Sequence, residues 1–301
     1  MKKLSIVAIL LLTFQTYGQQ DPQYTQYMYN MNIINPAYAG SRENLSFGLL
    51  YRNQWVGLDG SPETGTLFVH SPIGNNLGLG LSIIADQLGP VKETNTYVDI
   101  SYTLKFAGEH RLAFGVKAGL TFHDVGLLDL TVIDPDDPFF SQNINEKTPN
   151  IGTGFFYYTN KYYLSLSVPN LLNAVHLDDN GRNIGSETQH YFLTGGYVFD
   201  LSANTELKPS FMIKSAFDAP TSFDVNLNAR FYKKFEIGAS YRYEDSFSGL
   251  VNFAITPSLR IGYAYDAVTS EINVVAPSSH EVFLLFDLNF PKRISRSPRY
   301  F

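Results

Sequence analysis

The feature that most constrains this chain is an alternation of apolar and polar residues that recurs along most of its length. From Phe223 to Phe231 every second residue is apolar, and polar residues such as Asp224 and Arg230 lie between them. Successive side chains of a β-strand point to opposite faces, so this stretch predicts a strand with one apolar and one polar side. The same pattern predicts fourteen strands, near residues 45–55, 63–72, 76–86, 94–106, 110–124, 149–158, 161–168, 188–199, 204–216, 221–232, 234–243, 247–256, 258–267 and 279–290.

The connections between the predicted strands differ in length in a regular way. The even-numbered connections are tight, as at Lys233-Lys234, whereas the longest odd-numbered ones span 125–148, 169–187 and 268–278. Short turns at one end and long loops at the other are the layout of an outer-membrane barrel, with the short turns in the periplasm. The sequence therefore predicts an all-β fold, a transmembrane antiparallel β-barrel of 14 strands over residues 45–290.

A soluble β-sandwich is the alternative fold, because its strands would alternate in the same way. The polar faces of the predicted strands, however, are made mostly of Ser, Thr, Asn and Gly, and charged residues make up only 17% of the chain, against about 25% in an average soluble domain. Tyrosines such as Tyr102, Tyr241 and Tyr263 lie toward strand ends, as in the aromatic girdles of membrane barrels. These features favour the membrane barrel.

The first 18 residues have the organisation of a secretory signal peptide. Lys2 and Lys3 precede an apolar stretch from Leu4 to Phe14, and small residues around Gly18 offer a cleavage site. The apolar stretch is shorter than the roughly 20 residues that a membrane-spanning helix needs. We therefore expect cleavage near Gly18 and export to the bacterial outer membrane.

Two segments do not follow the strand pattern. Residues 19–44 are rich in amides and aromatics, whereas a disordered lead-in would have few aromatics. We expect this segment to pack in or under the barrel or to offer a surface to a partner protein. The residues singled out for partner binding are Tyr24, Tyr27, Asn35, Pro36, Tyr38, Gly40 and Trp55. The basic tail 291–301 ends in Tyr300-Phe301, and a terminal Phe resembles the signal that barrel-insertion machinery recognises.

Catalytic and metal-binding patterns are weak in this sequence. The absence of cysteine excludes disulfides, thiolate metal sites and cysteine nucleophiles. Ser186 and His190 could be imagined as a catalytic pair, but nothing in the sequence marks them. We expect no enzyme activity and no cofactor, and the net charge of −6 gives no indication of a nucleic-acid partner. The acidic loops around Asp134 and Asp178 leave a bound Ca²⁺ open, although neither matches the twelve-residue calcium loop.

Charged residues of both signs recur on the predicted polar, lumen-facing sides of the strands. We expect them to pair across a water-filled or plugged interior, and Gly78 and Gly80 to make room on the same face. The charged residues are Asp99, Lys105, Arg111, Lys117, Lys208, Lys214, Asp224, Arg230, Arg242, Arg260, Asp266 and Asp287.

Short motifs occur along the mature chain. They are Gln20-Asp21-Pro22-Gln23-Tyr24-Thr25-Gln26-Tyr27-Met28, Asn35-Pro36-Ala37-Tyr38-Ala39-Gly40, Arg52-x-Gln54-Trp55, Ser167-Val168-Pro169-Asn170-Leu171, Gly262-Tyr263-Ala264-Tyr265-Asp266, Ser279-His280-Glu281 and Ser297-Pro298-Arg299-Tyr300-Phe301. These motifs resemble those of the PorP/SprF family of outer-membrane proteins. The resemblance covers the whole mature chain and is most specific at its start.

The resemblance implies a role in the type IX secretion system and in gliding motility. It implies that the barrel anchors to the cell surface, or helps export, a large adhesin-like protein with a type B C-terminal sorting domain. It also implies contact with periplasmic components of that system. The residues themselves leave a second hypothesis open, an outer-membrane channel or transporter for small solutes, because the predicted lumen is polar and carries both signs of charge.

Overall fold

The computed structural model describes residues 22–130, 141–172, 175–179, 182–186, 188–216, 219–288 and 300–301. The predicted signal peptide, the acidic residues around Asp134 and the tail as far as Arg299 lie outside these ranges. Within them the strands are β1 Leu45–Val56, β2 Glu63–Pro72, β3 Leu77–Leu88, β4 Val91–Lys105, β5 Arg111–Val125, β6 Ile144–Tyr158, β7 Tyr162–Val168, β8 Val175–Asp179, β9 Arg182–Ser186, β10 Tyr191–Tyr197, β11 Phe199–Ser202, β12 Thr205–Ala216, β13 Ala219–Phe231, β14 Phe235–Arg242, β15 Ser246–Ala254, β16 Leu259–Val268 and β17 Ser278–Leu288.

Fourteen of these strands close into an antiparallel barrel, which confirms the predicted fold. Consecutive strands pair along the chain, the first strand β1 pairs with the last strand β17, and β10 pairs with both β7 and β12. The short strand β11 pairs only with β12, beyond the end of β10. Strands β8 and β9 form a separate hairpin in the connection between β7 and β10.

The two faces of the barrel wall differ as the alternation predicts. In β13 the apolar side chains of Phe223, Val225 and Leu227 are exposed on the outside, whereas those of Asp224 and Asn228 are buried inside. A soluble protein rarely leaves so many large apolar side chains exposed on one continuous face. A closed barrel also leaves no unpaired strand edge, as a lipid environment requires.

The barrel has one end with short turns and one with longer connections, and we call them the short-turn end and the long-loop end. At the short-turn end the connections contain three to five residues, apart from 198–204 between β10 and β12, which includes β11. At the long-loop end the connections that follow β5, β7 and β16 are the longest, as predicted, while those after β3 and β12 contain only two residues. Both β1 and β17 have their outer termini at the short-turn end, where Leu45 lies opposite Leu288.

The structure differs from the sequence prediction in the long connections. Strand β6 begins at Ile144 rather than near residue 149, and the hairpin of β8 and β9 lies in a predicted loop. The added part of β6 pairs with the end of β5. Its residues Asn145, Glu146 and Lys147 are all exposed, so no apolar face marks this extension in the sequence. Backbone pairing alone therefore carries the strand past the alternating region.

The hydrophobic core of the described structure lies inside the barrel. It is built largely from the N-terminal segment, which contains the short helix α1, Met31–Ile34, and single 3₁₀ turns at Tyr27–Tyr29 and Pro36–Tyr38. None of the described helices is both long enough and apolar enough to cross a membrane. We call residues 22–44 the plug, because their side chains are almost all buried within the lumen.

Candidate functional site

The plug begins near the long-loop end of the lumen, where a carboxylate holds its backbone. Glu281 accepts hydrogen bonds from the backbone N–H groups of Thr25, at 2.9 Å, and Gln26, at 2.8 Å. Arg52 forms an ion pair with Asp266 at 2.6 Å and lies 3.4 Å from Glu281. Thr25 Oγ1 also donates to Asp266. These charged groups are all buried, and buried charges are stable in proteins only when they are paired and hydrogen-bonded in this way.

From this anchor the plug runs toward the short-turn end. The hydroxyl of Tyr29 donates to Glu236 at 2.5 Å, near the start of β14, and its ring stacks on Phe283 with the centroids 4.5 Å apart. Tyr27 accepts a hydrogen bond from Asn226 at 3.3 Å. Both tyrosines are buried, and their hydroxyl groups find partners on the polar inner face of the wall.

The helix α1 binds the middle of the barrel wall through a buried lysine and a buried aspartate. Lys117 donates to the carbonyl oxygen of Ile33 at 2.7 Å and lies 3.6 Å from Asp99. Asp99 in turn accepts a hydrogen bond from Asn32 at 3.1 Å. The ammonium group thus caps a carbonyl at the end of the helix, a favourable position for a positive charge.

After α1 the plug crosses five strands over a row of small residues, which we call the glycine–serine belt. The belt consists of Gly78, Ser101, Gly115, Gly154 and Ser167, which lie in register on β3, β4, β5, β6 and β7. A Cβ on Gly78 would lie 2.1 Å from the carbonyl oxygen of Ala39, and one on Gly115 would lie 2.1 Å from the backbone nitrogen of Ala37. The glycines therefore give the plug backbone the space it occupies.

The two serines of the belt hold the plug by hydrogen bonds. Ser101 donates to the carbonyl oxygen of Ala39 at 2.6 Å, and Ser167 donates to that of Ile34 at 2.7 Å. These bonds satisfy backbone acceptors that would otherwise be buried without a partner. The space that the sequence predicts on the lumen face is thus occupied by the plug.

The Asn35-Pro36-Ala37-Tyr38-Ala39-Gly40 motif is a structural element of this crossing. Asn35 caps the 3₁₀ turn by accepting from the N–H of Ala37 at 2.8 Å, and its amide nitrogen donates to Ser165 on the wall at 2.6 Å. Pro36 occupies the first position of the turn, where its missing N–H costs nothing. Gly40 has a φ of 75°, and a Cβ there would lie 2.8 Å from the Cα of Gly78.

The last two residues of the chain also lie in the lumen, on the short-turn side of the plug. The guanidinium of Arg230 lies 3.6 Å from the centroid of the Tyr300 ring, and the ammonium of Lys208 lies 4.2 Å from it. The ring of Phe301 packs on Tyr163 at 5.0 Å. The final strand β17 ends at Leu288, so the terminal Phe does not close the barrel wall.

The predicted pairing of lumen charges is present in a plugged interior. Nine of the twelve predicted charges are buried. Lys105, near a short turn, is exposed, and Arg111 and Arg260 are half-buried. The pairs include Arg242 with Asp224 at 2.9 Å and Arg230 with Glu206. Sequence reasoning missed Arg42, which pairs with Asp287 at 2.6 Å, because it lies in the plug and outside the strand pattern.

The structure divides the seven residues predicted for partner binding into two groups. Six of them belong to the plug: Tyr24, Tyr27, Asn35, Pro36 and Tyr38 are buried, and Gly40 is half-buried. Trp55 alone lies apart, at the long-loop end of β1, where its N–H donates to Ser279 at 3.0 Å. It is half-buried and has a φ of 55°, which is unusual for a bulky residue.

Solved structures of other barrels resemble this fold at low sequence identity. The Ralstonia pickettii toluene transporter TbuX has a TM-score of 0.53 and 13% identity, with 85% of this chain and 92% of that chain covered. The CymD monoaromatic hydrocarbon channel has a TM-score of 0.52 and 12% identity, with 87% and 93% covered. At these identities the similarity concerns the fold alone. Comparison with curated proteins gives no match.

The family comparison is more specific. The model of the type IX secretion system membrane protein PorP/SprF matches residues 16–286, which include the plug and nearly all of the barrel. The match agrees with the motifs quoted above and with an outer-membrane barrel fold. This chain is therefore a member of the PorP/SprF family of type IX secretion system membrane proteins.

Proposed function

We propose that this protein anchors to the cell surface, or helps export, a large adhesin-like protein with a type B C-terminal sorting domain. Membership of the PorP/SprF family supports a place in type IX secretion, and gliding motility is the associated process we expect. The observation that favours a holding role is the plug, because a lumen filled with hydrogen-bonded protein suits a rigid support better than a passage.

The alternative, a channel for small solutes, gains no support from the lumen. The plug spans from Thr25 near the long-loop end to Tyr29 near the short-turn end, and Tyr300 and Phe301 pack below it. Polar groups that would have lined a water-filled pore, such as Lys117 and Ser101, instead bind the plug. Purified protein should therefore be silent in planar bilayers, and a steady conductance from the intact protein would favour the channel.

Trp55 is the predicted partner residue that a client could reach without moving the plug. Exposed apolar residues lie on the neighbouring loop, where Val274 is 86% exposed, and Gly57 approaches the carbonyl of Val275. We propose that a client contacts this part of the long-loop end, which faces the cell exterior if the short turns are periplasmic. The buried plug residues would then support the contact from beneath.

Deletion of the gene tests the proposal directly. In the deletion strain, the client with a type B sorting domain should be missing from the surface and be found in the medium or in the cell. Surface proteins with other sorting domains serve as the internal control. Normal display of every type B protein in that strain would contradict the proposal.

A substitution at Trp55 separates partner contact from folding. Trp55→Gly removes the indole and suits the positive φ, so the barrel should insert normally while client retention falls. Leu128→Gly is a matched control, since Leu128 is also a large apolar residue at the long-loop end and is 60% exposed, but it lies after β5 and away from β1. Equal client retention in the Trp55→Gly strain and the wild type would exclude Trp55 as a contact.

A further inference from the structure

The turn between β13 and β14 is built from residues that are poorly suited to its backbone. Tyr232 has a φ of 51° and Lys233 a φ of 56°, and the N–H of Lys234 donates to the carbonyl of Phe231 at 2.9 Å. Positive φ at both central positions is the mark of a type I′ turn, which strongly prefers Asn-Gly. A strained turn with a bulky aromatic residue and a lysine in place of Asn-Gly points to a use for those side chains.

The side chains of this turn are accessible to solvent. Tyr232 is 69% exposed, and Lys233 and Lys234 are exposed as well. Among the described residues, neither lysine has an ion-pair partner within 4.0 Å. An aromatic ring beside two available ammonium groups is a combination that suits recognition of another molecule, since aromatic side chains are enriched at protein interfaces.

Behind the turn lies a cavity of about 430 Å³ at the short-turn end of the lumen. It is lined by Arg42, Arg230 and Arg260, by the two lysines of the turn, and by three tyrosines, Tyr29, Tyr232 and Tyr300. We call this cavity and the turn together the short-turn mouth.

The short-turn mouth carries an excess of positive charge in a protein that is acidic overall. Asp287 pairs with Arg42, Glu206 with Arg230, and Glu236 lies 3.7 Å from Arg260. Five cations against three carboxylates leave two positive charges in excess. The formal charge of the whole chain is −6, so this local field is opposite in sign to that of the protein. Such a patch draws anionic partners and orients them.

We propose that the short-turn mouth binds an acidic peptide segment of a periplasmic protein. The lysines of the turn would meet carboxylates at the rim, and Tyr232 would pack on the peptide. A peptide fits better than a lipid headgroup, because Arg42, Arg230 and Asp287 lie on the lumen side of the wall, away from lipid. The proposal depends on the proposed function only for the compartment in which the partner resides.

Binding of a labelled oligoglutamate peptide to the purified protein in detergent, followed by fluorescence anisotropy, tests the proposal. The peptide should bind the intact protein, an oligolysine peptide should not, and the affinity should fall as salt rises. The double substitution Lys233→Gln/Lys234→Gln should weaken binding roughly tenfold. This measurement needs no client, so its failure leaves the proposed anchoring function to be judged separately by surface display.

A second variant separates the recognition role from a structural one. Tyr232→Asn/Lys233→Gly gives the turn its preferred residues, so the barrel should be at least as heat-resistant while peptide binding falls. Glu244→Gly is the control, since it relieves a φ of 57° at the long-loop end and should leave binding unchanged. Unchanged binding in both turn variants would overturn the proposal. Lysine-dependent binding of phosphatidylglycerol in mixed detergent micelles, without peptide binding, would also overturn it, by making the mouth a lipid site.

Discussion

The backbone nitrogen of Ala37 lies where a side chain of Gly115 would stand, since a Cβ built on Gly115 would be 2.1 Å from it. Gly115→Val should therefore displace the plug from the belt while the wall, whose backbone pairing is unaffected, still closes. We expect single-channel conductance to appear and the plug to become sensitive to protease. Gly249→Val is the control, because no atom lies within 4 Å of that Cβ position. A silent, protease-resistant Gly115→Val protein would show that the close approach is unimportant.

Glu281 holds the plug at Thr25 and Gln26, and neutralising this carboxylate should release that part of the plug. Glu281→Gln replaces one of the two accepting carboxylate oxygens by an amide nitrogen that cannot accept, and it leaves Arg52 with one carboxylate fewer. Breaking a buried ion-pair network costs about 3–5 kcal/mol, so the free energy of unfolding in lipid vesicles should fall by an amount of this order. The fluorescence of Trp55, the only tryptophan of the chain, reports the transition. Asp200→Asn, at the exposed pair with Lys161, should change it little.

Removal of Tyr300 and Phe301 tests what the chain terminus does. The last strand ends at Leu288 and the two residues lie inside the barrel, so the truncated protein should still insert into the outer membrane. It should unfold at lower denaturant concentration, because Arg230 and Lys208 lose the ring on which they pack. Membrane fractionation and migration in unheated SDS gels follow insertion. Loss of insertion would instead identify the terminal Phe as the signal for barrel assembly.

Alkaline pH should weaken the attachment of the plug. Burial raises the pKa of Tyr27, Tyr29 and Tyr300 above the ordinary tyrosine value near 10. The folded protein therefore keeps protons that the unfolded chain loses above that value, so stability is full below pH 10 and falls as the pH rises. Each tyrosine contributes a slope of about 1.4 kcal/mol per pH unit. Denaturant titrations between neutral and alkaline pH measure the slope, and Tyr27→Phe should reduce it. An equal slope in the variant would exclude Tyr27.

The barrel wall was largely predictable, because one face of each strand meets lipid and the other meets polar groups. Phe223 and Asp224 differ in exposure as their positions in the alternation require. The prediction was wrong where lipid no longer constrains the chain, as at the exposed start of β6, near Glu146. The hairpin β8–β9 was not predicted either, because it lies outside the barrel wall and lipid does not impose the alternation on it.

The interior was predictable only in outline. The aromatic content of residues 19–44 indicated packing against the barrel, and the lumen glycines indicated space on the inner face. Only the distances in the structure show that the plug occupies this space. Thr25 and Glu281 are 256 residues apart in sequence, and no local pattern links them. The use of the Asn35-to-Gly40 motif as a crossing over five strands likewise depends on the register of β3 to β7. The partner role of these residues stays a prediction.

The position of the plug and of the last two residues inside the wall has a consequence for biogenesis. Residue 44 leads directly into β1, and β1 must pair with β17 to close the barrel. If the wall closed first, residues 22–44 would have to enter the finished barrel through one of its open ends. We therefore expect the plug to be in place before the last pair of strands closes, with the pairing of Leu45 and Leu288 as the slowest step of assembly. In such an assembly the barrel wall forms around the plug.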